Sequence, residues 1–288
     1  MKYTHSESVR DSDTLRNSFN SLTRRTFGFD FTAWHAAGHW GDQYTPHVLL
    51  DGSTVISNVS VSRMQFDMGG VRRQYLQLGT VMTAPEYRGQ GCGRSIMESV
   101  LKKYAGKTDG IYLFANDDVL DYYPKFGFRP SKEYEYFIPF PERTDGYTLE
   151  KADLRQPARL RHFEAAIKET DDAMRLCENP GLIHFHLAAG YREHLWYLPE
   201  NDTYVIAEQK DQVLRIYQIF GKQYTDPVRL ASSFGETVRE VVAGYTPVRR
   251  ETFCVREHRE EDCTLFILGD DLARIENDRM MFPVLSHT

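Results

Sequence analysis

Residues 86–94 (EYRGQGCGR) place three glycines at alternate positions between two arginines. The segment follows the apolar, threonine-containing run 78–83 and precedes residues 95–104, in which apolar residues recur at helical spacing. A glycine-rich loop that enters a helix presents unpaired backbone N–H groups and the positive end of the helix dipole to an anion. The segment therefore predicts a phosphate-binding loop between a strand and a helix.

Two common phosphate-binding patterns do not fit this loop. The dinucleotide pattern G-x-G-x-x-G fails because its last position falls on Arg94 or on Ile96, and the P-loop pattern fails because its lysine is missing. The pattern that fits is R-x-x-G-x-G, with Arg88, Gly91 and Gly93 in register. The alternative interpretation is a solvated glycine turn that binds nothing.

Composition excludes several classes of protein. The chain has 288 residues, 41% of them apolar, and a formal net charge of -6 without a basic tract, which argues against binding to nucleic acid. Its N-terminal segment lacks an apolar core and no stretch approaches 18 apolar residues, so we expect a cytoplasmic protein without a membrane segment. The four cysteines form no C-x-x-C pair, which argues against structural zinc and disulfides.

The first half of the chain predicts a mixed α/β unit. Apolar and β-branched runs over residues 47–83, broken by Asp51-Gly52 and Gly69-Gly70, predict an antiparallel meander of three or four strands. A helix is expected over 95–104, with a strand at 111–116, a helix-like segment at 117–128 and a strand at 133–140 following it. This unit should close near residue 141.

The second half predicts a similar order of elements. After a polar linker at 141–153 we expect a helix or helix pair over 154–177, strands at 195–199 and 203–221, a helix over 228–242 and closing strands after 263. The motif Gly-Phe-Arg-Pro at 127–130 recurs as Gly-Tyr-Thr-Pro at 244–247, which raises the hypothesis of an internal duplication. We therefore predict two domains, residues 1–145 and 146–288.

The glycine segment within residues 81–97 (VMTAPEYRGQGCGRSIM) resembles the GCN5-related N-acetyltransferases (GNATs), whose version wraps the pyrophosphate of acetyl-coenzyme A. The resemblance implies an α/β (α+β) fold of tandem GNAT-like domains, each a mixed, mostly antiparallel sheet flanked by helices. It also implies acetyl-CoA as co-substrate. The coenzyme-binding residues that it implies are Val81, Met82, Thr83, Arg88, Gly89, Gln90, Gly91, Cys92, Gly93, Arg94 and Asn116.

Residues 116–128 (NDDVLDYYPKFGF) resemble a second GNAT segment, N-x-x-A-x-x-L-Y-E-K-L-G-F. The match implies that Tyr123 lies near the coenzyme sulfur and protonates the departing thiolate; the alternative is a packed core tyrosine. Asn116 matches an asparagine that contacts the pantetheine arm, and it could also cap a helix. Two residues depart from the pattern: Val119 replaces a small alanine, and Pro124 should end or kink the helix.

The resemblance implies direct attack of an amine on the acetyl thioester. The coenzyme would lie between two splayed strands, at 76–83 and 111–115, and the acceptor would enter from the opposite side. A backbone N–H near Val81 or Met82 would polarise the carbonyl. The base is not assigned, and the candidates are Asp67, Glu86, His39 and the C-terminal carboxylate of Thr288.

Several other hypotheses stay open at this stage. Cys92 could act as a covalent nucleophile, although no histidine is close in sequence, and His184, His186 and His194 could bind a metal, although we predict none. Residues 26–40 (TFGFDFTAWHAAGHW) lie where the family forms its acceptor lip, and they could be either a core face or an aromatic substrate wall.

The sequence thus predicts an acetyl-CoA-dependent N-acetyltransferase that acts on a small-molecule or peptide amine. No R-x-x-G-x-G occurs after residue 150, so the second domain should be degenerate and the chain should hold one coenzyme site. The alternatives are transfer of another acyl group, acylation of a protein terminus or lysine, and a non-catalytic acyl-CoA sensor or partner-binding module. A homodimer is compatible with either reading.

Overall fold

A computed structural model describes residues 3–288, which form two mixed sheets flanked by helices, as the sequence predicts. The elements of the first half are β1 (Thr4–Ser6), α1 (Asp13–Phe27), α2 (Thr32–Ala36), β2 (Tyr44–Asp51), β3 (Thr54–Met68), β4 (Val71–Thr83), α3 (Cys92–Tyr104), β5 (Gly110–Ala115), β6 (Arg129–Pro130) and β7 (Glu133–Pro139). The elements that follow are β8 (Glu150–Lys151), α4 (Pro157–Ala166), β9 (Arg175–Cys177), α5 (Pro180–Ala188), β10 (Leu195–Leu198), β11 (Thr203–Lys210), β12 (Val213–Phe220), α6 (Pro227–Ser233), β13 (Glu240–Ala243), β14 (Cys254–His258), β15 (Thr264–Leu268) and α7 (Arg274–Asn277). Among the described helices, none is both long and apolar enough to cross a bilayer.

The predicted meander is confirmed as three long antiparallel strands, β2, β3 and β4. Its two turns lie at the glycines that mark them in the sequence, Gly52 and Gly69-Gly70, all with φ between 60° and 85°. Helix α3 packs on this sheet, and Ile96, Met97 and Val100 on its inner face are fully buried. The meander and α3 thereby hold the glycine segment at the edge of a well-packed core.

Three predicted helices differ in the structure. Residues 117–128 form two short 3₁₀ turns, because Pro124 cannot donate the hydrogen bond that an α-helix needs at that position. The segment 154–177 holds one helix, α4, and then the short strand β9. The segment 228–242 divides into α6 and the buried strand β13, whose Val241 and Val242 favour a pleated, buried surface.

The two sheets exchange strands between the halves of the chain. The first sheet has the order β1-β2-β3-β4-β5-β15-β6, with β9 on β3, and the second has the order β14-β7-β13-β12-β11-β10-β8. The closing strand β15 was expected in the second half, but it pairs with β5 and β6 of the first. Strand β7 from the first half pairs with β13 and β14. Sheet membership therefore does not follow a cut at residue 145, and the division into two domains stays a prediction.

The exchange is reciprocal, and it repeats one arrangement twice. Strand β4 runs parallel to β5, and β15 then lies antiparallel between β5 and β6. In the second sheet β12 runs parallel to β13, and β7 lies antiparallel between β13 and β14. This common order supports the hypothesis of an internal duplication more strongly than the four-residue repeat does.

A buried ion-pair cluster holds the exchanged strand β7 in the second sheet. Glu135 on β7 is 9% exposed at its side chain and accepts hydrogen bonds from Arg256 Nε (2.5 Å) and His258 Nδ1 (3.1 Å) on β14. Burial alone would raise the pKa of Glu135, but the hydrogen bonds from His258 and Arg256 outweigh it and lower the pKa to about 2. The Glu135 carboxylate is therefore charged and stabilises the exchange.

We expect Glu135→Gln to lower the free energy of unfolding on the order of 3 kcal/mol at pH 6. Because the folded-state pKa of Glu135 is depressed from 4.5, its contribution is present above pH 4.5 and is lost as the pH falls towards 2. The pKa of His258 is raised above 6.5, chiefly by its hydrogen bond to Glu135. Its contribution to stability is therefore fully present below pH 6.5 and is lost as the pH rises through the raised pKa. Urea unfolding from pH 2 to 8 measures both trends. Glu257→Gln, on the neighbouring strand β14 and 30% exposed at its side chain, is the control, and an equal effect there would contradict the assignment.

Candidate active site

The site is built on a bulge in β4. Gly79 pairs with Ser60 and Met82 pairs with Asn58, so Thr80 and Val81 have no partner residue on β3, and Thr80 has a φ of 48°. Asn58 Nδ2, which is buried, donates to the carbonyl oxygen of Thr80 at 2.8 Å. The bulge is therefore held by a side chain of the core, and it turns the backbone at Val81 away from the sheet.

Strands β4 and β5 separate beside this bulge. Their parallel pairing runs from Tyr75 opposite Gly110 to Leu78 opposite Leu113 and ends there, while Phe114 and Ala115 pair only with β15. The separation opens a cleft of about 720 Å³, which we call the acceptor cleft. It is lined by Phe27, Phe29, Asp30, Ala33, Trp34, Leu78, Gly79, Thr80, Val81, Phe114, Asn116, Tyr123, Phe185, His186, Ala188, Ala189, His287 and Thr288.

Tyr123 lies in the wall of the acceptor cleft. Tyr123 is 5% exposed. Its ring packs on Phe128 and on Phe266 of the exchanged strand β15, with ring centroids 6.2 and 5.7 Å away. Burial raises the pKa of the Tyr123 phenol well above its ordinary value. Its hydroxyl makes no hydrogen bond to the described part of the chain, so a protonated phenol is left for a molecule in the cleft.

The glycine loop, residues 88–94, leads directly into α3. Gly91 is the residue before the helix and has a φ of 80°, and the first helical amide that bonds back is that of Ser95, which donates to Gly91 O at 2.9 Å. The N–H groups of Cys92, Gly93 and Arg94 therefore have no partner within the helix. Arg88 and Arg94 are exposed beside them, and Arg88 Nε donates to Thr83 O at 3.1 Å.

Tyr122 adds a hydroxyl group to the glycine loop. A Cβ placed on Gly93 would lie 3.2 Å from the Tyr122 hydroxyl and 3.3 Å from Thr83 Oγ1, so the two oxygens lie close to the start of α3. The Tyr122 hydroxyl is buried and has no hydrogen-bond partner in the described residues. The unpaired amides and the two arginines form a polar surface that fits the phosphates of a coenzyme, and the buried Tyr122 hydroxyl lies beneath it.

The other predicted coenzyme-binding residues are divided between the site and the core. Val81 lines the cleft, whereas the side chains of Met82 and Cys92 are buried, so both could contact a ligand only through backbone. The buried Cys92 thiol lies in an apolar core cluster, which does not support a covalent role. Asn116 lines the cleft, but it makes no capping bond; its Nδ2 donates to Asp262 Oδ2 at 2.7 Å.

The four candidate bases lie in different places. Asp67 pairs with Arg175 (2.9 Å), Glu86 pairs with Arg25 at the surface (3.0 Å), and the imidazole of His39 stacks on His184 with centroids 4.0 Å apart. Thr288 alone among them lines the acceptor cleft, and it lies against Gly79. The geometry therefore removes three of the four from the reacting centre.

The histidines suggested as metal ligands are used otherwise. His184 stacks on His39, His186 Nε2 lies 3.0 Å from His287 O, and His194 Nε2 lies 3.8 Å from Glu208. Within residues 3–288 the one group of three potential ligands is His5, Glu7 and His47, whose ligand atoms lie within 4.8 Å of one another. His5 lies on β1, His47 lies on β2 and Glu7 directly follows β1; none of the three lines the acceptor cleft.

The second half offers no matching loop at the equivalent position. Helix α6 follows β12 as α3 follows β4, but Pro227 begins it and Asp226 caps it by accepting from the amides of Val228 and Arg229 at 2.8 and 3.4 Å. A carboxylate that already occupies the helix start excludes a phosphate there. This geometry supports the expectation of one coenzyme site, which stays a prediction.

Sequence reasoning missed part of the cleft. Phe185 and His186 on α5, and His287 near the end of the sequence, line it from the second half of the chain. Burial lowers the pKa of His186 to about 4 and that of His287 to about 3, so both rings are neutral at pH 7. No local motif marks these residues, because the strand exchange and the packing of α5 against α2 bring them to the site.

Comparison with known proteins agrees with this geometry. The model of the acetyltransferase (GNAT) domain family matches residues 11–131, whereas no curated protein matches the chain. A probable N-acyltransferase from Enterococcus faecalis V583 is 16% identical, with a TM-score of 0.60 over 93% of this chain and 71% of that one.

Two further solved structures have the same fold. A GCN5-related N-acetyltransferase from Kribbella flavida is 16% identical, with a TM-score of 0.57 over 92% of this chain and 70% of that one. One from Anabaena variabilis is 13% identical, with a TM-score of 0.56 over 92% and 72%. At these identities the structures establish the fold, which extends over both halves. Residues 11–131 therefore match the acetyltransferase (GNAT) domain family, and both halves of the chain share the fold of these N-acetyltransferase structures.

Proposed function

We propose that this protein transfers an acetyl group from acetyl-CoA to a primary amine by direct attack within a ternary complex. The observation that carries the proposal is the convergence of two groups on one cleft: the protonated hydroxyl of Tyr123 and the backbone of the β4 bulge at Val81. The glycine loop continues from the same strand at its far end. These are the parts that acyl transfer from a phosphate-bearing thioester needs.

Each part has a separate chemical role. Acetyl-CoA supplies a thioester whose carbonyl carbon an amine can attack. The N–H groups of Cys92, Gly93 and Arg94 would bind the phosphates of the coenzyme. The backbone N–H of Val81, which has no partner residue on β3, would stabilise negative charge on the carbonyl oxygen. As the C–N bond forms and the C–S bond breaks, Tyr123, whose raised pKa keeps the phenol neutral, would donate its proton to the leaving thiolate and recover one from the attacking amine.

Two measurements on the purified full chain test the proposal. Calorimetry should detect one acetyl-CoA per chain, and a thiol reagent should detect CoA release that depends on added amine. Binding without release across a broad panel of primary amines would favour the alternative, a non-catalytic acyl-CoA sensor. Absence of binding would contradict both.

A further inference from the structure

The acceptor cleft has an aromatic wall at its mouth. Phe27 and Phe29, which end α1 and follow it, are 40% and 42% exposed, and their ring centroids lie 6.1 Å apart. Leaving two phenyl rings this exposed to water forgoes stabilisation that burial would provide. Exposed apolar surface that is continuous with a site typically contacts a ligand.

The wall continues into the cleft. Phe29 lies 6.3 Å from Phe185, and Phe185 lies 5.5 Å from Trp34, in both cases ring centre to ring centre and edge to face. Trp34 is fixed because its Nε1 donates to Gly181 O at 2.8 Å. Of the predicted segment 26–40, Phe31 and Trp40 are buried in the core, Phe27 and Phe29 line the cleft, and Trp34 belongs to both. The segment is thus a core face in part, and a substrate wall stays a prediction.

The charges that line the cleft select the kind of molecule that fits. Among residues 3–288 no lysine or arginine lines it, and its acidic groups are the Asp30 side chain and the terminal carboxylate of Thr288. Asp30 is already paired with Arg24 and accepts from the Thr32 amide at 2.7 Å. An anionic acceptor would therefore find no cation, and a polyhydroxylated or polycationic one would find few polar partners along the aromatic wall.

We propose that the acceptor is a small primary amine carried by an aromatic or bulky apolar group, which packs against Phe29, Phe185 and Trp34 while its amine points towards Tyr123. This inference rests on the proposed acetyltransferase function and names its class of substrate. An aromatic ring of the acceptor would pack against these side chains, either stacked or edge to face, and the side chains are already held in place by one another.

One aromatic and two polar primary amines compare the classes directly. We expect 2-phenylethylamine to be acetylated with a kcat/KM at least tenfold higher than that of ethanolamine or glucosamine, measured as CoA release by the full chain. Equal or faster acetylation of the two polar amines would overturn the inference while the acetyltransferase function stands. Failure to bind acetyl-CoA would refute the function itself and with it this inference.

A variant locates the effect in the aromatic wall. Phe29→Ala should raise the KM for 2-phenylethylamine about tenfold and the KM for ethanolamine by much less. Phe140→Ala removes a phenyl ring that is 78% exposed and outside the cleft, and it should change none of these values. Equal KM values for Phe29→Ala and the unmodified chain would overturn the inference.

Discussion

Replacing Tyr123 with phenylalanine is expected to lower kcat about 100- to 1,000-fold and to leave acetyl-CoA affinity within twofold. The substitution keeps the ring that packs on Phe128 and Phe266, and it removes a hydroxyl that makes no hydrogen bond within the described residues. Folding should therefore be preserved. The loss would be confined to the step in which a thiolate must leave, because a neutral thiol is the better leaving form near pH 7.

The control for Tyr123→Phe is another buried tyrosine. Tyr245 is 4% exposed, lies in the core of the second sheet and does not line the acceptor cleft. Tyr245→Phe should leave kcat unchanged. If Tyr123→Phe retains full turnover with the best amine, the hydroxyl does not act in the reaction, and Tyr123 is a packing residue only.

The raised pKa of Tyr123 allows a pH test that compares the unmodified chain with Tyr123→Phe. Since burial keeps the phenol protonated beyond its ordinary range, kcat of the unmodified chain should not fall through loss of this proton between pH 7 and 10. A decrease in kcat over that interval that is absent from Tyr123→Phe would show that the phenol ionises there, contrary to its buried position.

Local sequence patterns predict the parts of this fold that depend on near neighbours. The turns at Gly52 and Gly69-Gly70, the strand β4 and the helix α3 follow from glycine placement and apolar spacing. Gly91 and Gly93 identify the loop because backbone amides without a neighbouring side chain at the start of a helix are typical of anion-binding sites. Such features need no knowledge of the rest of the chain.

Features that depend on distant pairing could not be predicted. The apolar run of β15 (TLFIL) would suit either sheet, and nothing within it encodes that Phe266 should pack beside Tyr123. The same applies to Phe185 and His287, which reach the cleft from the second half. Pro124 is a different case: the sequence predicts a break there, but it does not reveal that 3₁₀ turns replace the whole helix.

Gly91→Val is expected to weaken acetyl-CoA binding roughly 100-fold, about 2.7 kcal/mol. Gly91 has a φ of 80°, which a β-branched residue adopts only with strain, so the backbone at the start of α3 should shift. The amides of Cys92, Gly93 and Arg94 would then lose the alignment that binding of phosphate requires. Calorimetry with acetyl-CoA, and with CoA as a product control, measures the loss.

Gly106 provides the matched control at the other end of the same helix. It follows α3, has a φ of 68° and, like Gly91, has no neighbouring atom within 4 Å of an added Cβ. Gly91→Val and Gly106→Val should therefore cost similar stability, about 1–2 kcal/mol each. Only Gly91→Val should lose affinity for acetyl-CoA. Equal affinity for acetyl-CoA in both variants would mean that the bare amides at residues 92–94 do not bind its phosphates, and the acetyltransferase proposal would lose its coenzyme site.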